Sequence, residues 1–327
     1  MNDPTVSIVL PTYNRAHLLS RAIDSIIAQT MKDWEIVLVD DGSIDETPDL
    51  AQDYERRLGE RFVHVSQSNA GPGAARNHGI DRCRGRFVTF LDSDDEFLPT
   101  KLARQVELLE RASELGLVYC DIAFVDLDGT RHESAFDEKT KLARAVPYEE
   151  IAPGFCVCRG SLFDWLIREY FVSTISGMVR RDVLGTDIRF PSDQSYAEEW
   201  LFYLRVARIT PAGFVDEPLC LHHFTAGSLA RTDRQANFGE LRQLLLRIKA
   251  EFGDLNRTQR RVVHRNLATC TRQLAFDKYK SRNYASAAKY FTESFRCHRQ
   301  WRTAVNAIQA LCRARFNREE TPVSESC

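Results

Sequence analysis

Within the first hundred residues, four short apolar runs alternate with stretches of helical periodicity, and no other feature narrows the fold so far. The runs are "VSIVLP" from Val6, "WEIVLVDD" from Trp34, "RFVHVSQ" from Arg61 and "RFVTFLD" from Arg86. Each is short, apolar and closed by turn-forming or acidic residues, so each reads as a buried strand. Between the first two, Leu18, Leu19, Ala22, Ile23, Ile26 and Ile27 form a helical stripe, with Asn14 placed to cap it. "SIDE", Ser43 to Glu46, matches a capping box and opens a second helix. "GPGAARNHGIDRC" starts on flexible glycines and turns helical. Strands and helices alternating through short connections imply an α/β, Rossmann-like, mostly parallel sheet flanked by helices.

In such sheets ligands bind outside the carboxyl ends of the strands. Acidic residues gather there twice. Asp40 and Asp41 end the second strand, and Asp92, Asp94 and Asp95 in "FLDSDDEF" end the fourth. Adjacent carboxylates repel, and more so as low dielectric replaces water. Either the cluster is a solvated strand end or a cation sits among it.

The middle of the chain mixes strand-like runs such as "GLVYCDIAFVD" with helical ones such as "AEEWLFYLRVAR". From about Phe238 the pattern is wholly helical, and "KYKSRNYASAAKYFTESF" reads as one helix-turn-helix unit. Three regions follow: a ligand-binding half over 1–115, a second half of the same domain over 116–230, and an all-helical C-terminal extension over 231–327. The charge divides with them, because from Arg231 onward there are 20 Lys+Arg against 9 Asp+Glu while the whole chain carries −2. In "WRTAVNAIQALCRARF", Trp301, Val305, Ile308, Leu311 and Phe316 fall near one helix face, flanked by Arg302, Arg313 and Arg315. That suits either a helix lying on an anionic membrane or one docked on protein. Nucleic acid is not indicated, since no recognised binding module accompanies the charge.

No signal-peptide pattern leads the sequence, and no run approaches the roughly 20 apolar residues of a membrane span. The 9 cysteines are odd in number and scattered, with Cys156 and Cys158 a lone C-x-C pair. These features point to a reducing, cytoplasmic setting, with a place at the inner face of the membrane left open by the basic helices.

With its motifs in order, the sequence resembles family 2 glycosyltransferases, inverting enzymes with the A-type nucleotide-sugar-binding fold. The resemblance rests on "VSIVLPTYNR", "EIVLVDDGSIDET", "NAGPGAARNHGI" and "GRFVTFLDSDDEF", with "STISGMVRRDVL" and "YAEEWLFYLRVA" further on. It implies a nucleotide pocket from Pro11, Thr12, Tyr13, Asp40, Asp41, Asn69, Arg76, Asp92 and Ser93. Asp40 would read the base, Tyr13 would stack on it, and Arg76 would meet phosphate or base; Asp41 reads equally as a turn residue before Gly42. Asp92-Ser93-Asp94 fits the family's D-x-D motif, so Mg²⁺ or Mn²⁺ is implied, with Asp94, Asp95 and His223 as ligands. Glu198-Glu199 stands where the family carries a Glu-Asp pair, which makes Glu199 the general base with a side chain one methylene longer. Glu198, Trp200 and His222 are further candidates for acceptor or diphosphate contacts.

The implied function is transfer of a sugar from a nucleotide diphosphate donor, a UDP-sugar first, to a glycan or lipid-linked acceptor in surface polysaccharide synthesis. A non-catalytic nucleotide-sugar binder is the rival left open by the Asp-to-Glu change at Glu199. A two-carboxylate glycoside hydrolase fits less well, because it has no use for the nucleotide motifs. "GPGAAR" lacks the third glycine of a dinucleotide fingerprint and does not follow the first strand.

Overall fold

The computed structural model describes residues 3–194, 196–225 and 234–319, the side chains of 234–236, 301 and 316–319 excepted. The chain divides into two compact units, Met1–Ser228 and Leu229–Cys327. The first unit opens as β1 (Val6–Thr12), α1 (Ala16–Ile27), β2 (Trp34–Asp40), α2 (Thr47–Leu58), β3 (Phe62–Ser66), α3 (Pro72–Ile80) and β4 (Phe87–Phe90). It continues through β5 (Glu96–Phe97), α4 (Lys101–Arg111), β6 (Leu117–Val125), β7 (Arg131–His132), α5 (Ala135–Glu138), β8 (Tyr148–Ala152) and β9 (Phe155–Cys158). The last elements are α6 (Phe163–Leu166), β10 (Met178–Arg180), α7 (Arg181–Leu184), α8 (Glu198–Ile209) and β11 (Ala212–His223).

One sheet runs in the order β3-β2-β1-β4-β10-β6-β11-β9-β8. The quartet β3-β2-β1-β4 is parallel throughout, as is the pair β6 and β11. β10 lies antiparallel between β4 and β6, and β8 and β9 close the far edge antiparallel. Every residue of β1, β2 and β4 is buried, which explains why these strands read as unbroken apolar runs rather than alternating ones. Leu19, Ala22, Ile23 and Ile26 of α1 join Ile8, Leu10, Ile36 and Leu38 in the main core.

Two helix starts differ from the sequence expectation. Asn14 does not cap α1: its side-chain oxygen accepts from Ile44 N (2.8 Å), and its own N–H donates to Ser43 Oγ (2.9 Å). Asp45 instead accepts from Ala16 N at 3.1 Å and from Thr47 N at 3.1 Å, serving the starts of both α1 and α2. Ser43 therefore forms no capping box, and α2 starts at Thr47 without a side-chain cap at Glu46. The loops after β1 and β2 lie side by side at the carboxyl edge, so their polar groups satisfy one another before they serve their own helices. Gly42 at φ +83° turns the chain just after β2, where a Cβ would also press on the backbone of Asn69. Gly177 permits a different closeness: a Cβ there would stand 2.2 Å from the Tyr203 hydroxyl, so α8 could not pack at its present depth.

The second unit contains α9 (Arg234–Glu251), α10 (Arg257–Lys280), α11 (Tyr284–Cys297) and α12 (Trp301–Glu319). Asn256 and Gln259 form a capping box at the start of α10. Ala275, Ala287, Ala288, Phe291, Ala307 and Ala310 make a close-packed core in which small residues let the helices approach. Of the face expected on α12, the side chains of Trp301 and Phe316 lie outside the described residues, as does the segment from 320. Among the described residues no helix is long and apolar enough to cross a membrane.

Candidate active site

The site is built where the carboxyl ends of β1, β2 and β4 meet the start of α8. Asp40 and Asp41 are both buried but face different partners. Asp40 accepts the Ser43 N–H at 2.9 Å. Asp41 accepts from Gln67 Nε2 (2.7 Å), Ala70 N (2.9 Å) and Gly71 N (2.8 Å), so it acts as a strut for the loop before α3. Pro11 and Thr12 are buried, and the Thr12 hydroxyl has no partner. Tyr13 is 46% exposed beside them, an open aromatic ring at a strand end. Asn69 is exposed on the loop that Asp41 holds.

Arg76, on α3, is buried and links two parts of the site. Its guanidinium donates to Asp92 at 2.7 Å and to Glu198 at 2.5 Å, over the Phe190 ring at 5.3 Å. Burial works against that charge, but Asp92 and Glu198 outweigh it and raise the proton affinity of Arg76. The end of β4 and the start of α8 are thus held together by one cation between two anions.

The turn after β4 is folded against β11, which carries β5 as an antiparallel partner. Asp95 is buried, with His222 Nδ1 3.0 Å from one carboxylate oxygen and 3.1 Å from the other, and it accepts the His223 N–H at 2.9 Å. Burial would lower the proton affinity of His222, but Asp95 more than offsets this and raises it. His223 turns elsewhere, its Nε2 lying 2.7 Å from Glu96. Asp94 has the Thr225 hydroxyl at 3.3 Å, while its backbone carbonyl accepts from Arg21 at 2.5 Å. Burial, then Asp95 and Asp92, raise the Asp94 carboxyl above its ordinary value. A carboxylate under that repulsion suits a divalent cation. Among the described residues no three His, Cys, Asp or Glu side chains form a metal cage. Mg²⁺ commonly takes only one or two protein carboxylates and completes its shell with substrate phosphate and water, so Asp94 fits that role. Asp95 and His223, expected beside it, lie against His222 and Glu96.

At the start of α8, Ala197 sits at φ +58°, a left-handed conformation that costs a non-glycine residue about 1 kcal/mol or more. Two adjacent glutamates then diverge. Glu198 is buried and paired with Arg76, whereas half-buried Glu199 accepts from the neutral Tyr170 hydroxyl at 2.6 Å. Burial first, and the Glu198 carboxylate second, lift Glu199 to about 7. That is the environment of a carboxylate able to hold and release a proton near neutrality. Trp200 is buried, and its indole N–H donates to the Leu166 carbonyl at 2.7 Å. Nothing in "WLIREY" marks the Tyr170 hydroxyl as the partner of a glutamate 29 residues on.

A family model described as Glycosyl transferase family 2 matches residues 7–167. The uncharacterized glycosyltransferase RP339 of Rickettsia prowazekii is 38% identical over 125 residues, 38% of each chain. TuaG of Bacillus subtilis, named for teichuronic acid biosynthesis, is 39% identical over 112 residues, 34% of this chain and 44% of that one. The matched stretches therefore span less than half of these relatives' own length. Staphylococcus aureus TarS 1-349, solved in complex with UDP-GlcNAc, superposes with a TM-score of 0.68 over 98% of this chain and 92% of that one, at 17% identity. The mannosyltransferase PcManGT of Pyrobaculum calidifontis, solved with GDP-Man and Mn²⁺, gives 0.60 over 98% and 83%, at 18% identity. Those likenesses show the A-type fold, and over residues 7–167 the chain matches the glycosyl transferase family 2 model.

Proposed function

We propose that the protein is an inverting glycosyltransferase that moves a sugar from a nucleotide diphosphate donor, a UDP-sugar first, to a glycan or lipid-linked acceptor. The observation that carries this reading is the Asp92–Arg76–Glu198 bridge, which sets the acidic end of β4 beside Glu199, whose proton affinity lies near neutrality. Asp40 and Tyr13 would take the base, with Pro11, Thr12 and Asn69 lining it and Asp92 and Ser93 near the ribose. TuaG, with its name from teichuronic acid, supports a surface polysaccharide as the product class. The place of action follows from such an acceptor: the cytoplasmic face of the membrane.

In the reaction the acceptor hydroxyl oxygen attacks the anomeric carbon while Glu199 takes the hydroxyl proton. The bond from that carbon to the diphosphate oxygen breaks, and the nucleoside diphosphate leaves with the electron pair. Attack opposite the leaving group inverts the anomeric centre. Tyr170 holds the Glu199 carboxylate in place, and Glu198 is withheld from the chemistry by Arg76. A Mg²⁺ or Mn²⁺ ion held by Asp94 would neutralise charge on the diphosphate.

Calorimetric titration with UDP, with and without Mn²⁺, tests the donor side. Wild type is expected to bind UDP more tightly with the metal, and Asp94→Ala to lose that difference. Wild type that binds no nucleotide diphosphate under either condition would overturn the reading. On the acceptor side, Tyr170→Phe removes a hydrogen bond that favours the charged form of Glu199. Its acid limb in the rate profile is expected to move upward by about one pH unit, with UDP affinity unchanged.

A further inference from the structure

We propose that α12 carries a docking face for an anionic lipid surface, centred on Val305, Ile308 and Leu311. The helix is amphipathic in an unusual sense. Its inward side is made of Thr303, Ala307 and Ala310, all buried, at the i, i+4, i+7 spacing of one helix face. The large apolar residues point away from that core: Val305 is 40% exposed, Ile308 61% and Leu311 56%. Small residues inside and branched residues outside are the reverse of what a solvent-facing helix needs.

Charge selects the occupant. Arg302 and Arg315 are exposed beside the apolar stripe, Arg313 lies over the Tyr279 and Tyr284 rings, and the helix has no acidic residue before Glu319. From Arg231 onward the chain carries 20 Lys+Arg against 9 Asp+Glu. A second copy meeting this face across a two-fold axis would set arginine against arginine. Three side chains are also far short of the roughly 800 Å² per partner that a stable protein interface buries. An anionic bilayer needs no shape match: isoleucine and leucine enter the acyl boundary while arginine stems lie along it and their heads meet lipid phosphate. The proposal deepens the reading of a membrane-borne acceptor, and its test scores binding rather than turnover, so either can fail without the other.

The test is co-sedimentation of the full-length protein with vesicles of phosphatidylcholine, with and without phosphatidylglycerol. Wild type is expected to pellet only with the anionic vesicles and to be released as salt rises. The double variant Ile308→Glu with Leu311→Glu is expected to lower the bound fraction by about tenfold, with unchanged circular dichroism. Arg302→Gln with Arg315→Gln is expected to weaken binding and flatten its salt dependence. Failure of wild type to bind anionic vesicles overturns the proposal, as does full binding by the double glutamate variant. A wild-type dimer in lipid-free solution that the glutamates dissolve would assign the face to a second copy and overturn it as well.

Discussion

Glu199→Gln is expected to lower kcat by about 10²–10⁴-fold while leaving UDP affinity at the wild-type level. Glutamine keeps the shape of the side chain and can still meet the Tyr170 hydroxyl, but it cannot take a proton. The donor side is untouched, because the bridge to Asp92 runs through Glu198 and not Glu199. Burial and the adjacent Glu198 put the Glu199 carboxyl at about 7. A base works only when deprotonated, so the wild-type rate should fall as pH drops through that value and level off above it. The variant should lose this limb. Single-turnover rates with a competent donor and acceptor measure both effects. Turnover in Glu199→Gln equal to wild type would move the base elsewhere. Wild type that binds UDP but transfers to no acceptor across a donor panel would favour the non-catalytic binder.

The second large effect is on stability. Arg76→Met is expected to cost roughly 3–5 kcal/mol, the range for removing one partner of a buried ion pair. Glu198 would be left buried and charged without its cation, and Asp92 would lose its 2.7 Å partner. For a unit of this size that corresponds to a fall of roughly 10 °C in the thermal midpoint. Arg76→Met combined with Glu198→Gln should recover part of the loss, because no unpaired buried charge remains at Glu198. The double-mutant cycle isolates that coupling. Additive losses from the two single changes would show that the bridge contributes nothing of its own. Thermal unfolding followed by near-UV circular dichroism, where the aromatic residues around Phe190 and Phe202 report, gives the reading.

Both experiments turn on partners that lie far apart in the chain. The alternation of "VSIVLP", "WEIVLVDD" and "RFVTFLD" with helical stripes was legible because a strand or helix imposes a period on residues close in sequence, and burial on both faces removes the polar alternation. The acidic strand ends and the glutamate pair before an aromatic helix were equally visible as patterns. Helix starts were less so: Asn14 and Ser43 carry the right chemistry for caps, yet the neighbouring loop offered their polar groups closer partners.

What the sequence determined, then, is the order of elements and the set of carboxylates gathered at one edge of the sheet. The tertiary structure alone decided what each carboxylate does. Asp41 supports a loop, Asp95 holds His222, Glu198 takes Arg76, and Asp94 and Glu199 meet the Thr225 and Tyr170 hydroxyls. Arg76 and Glu198 are 122 residues apart, and Asp95 and His222 are 127 apart. Local periodicity is set by backbone geometry among near neighbours. Charge pairing is set by which side chains folding brings within about 3 Å, and no spacing along the chain encodes that.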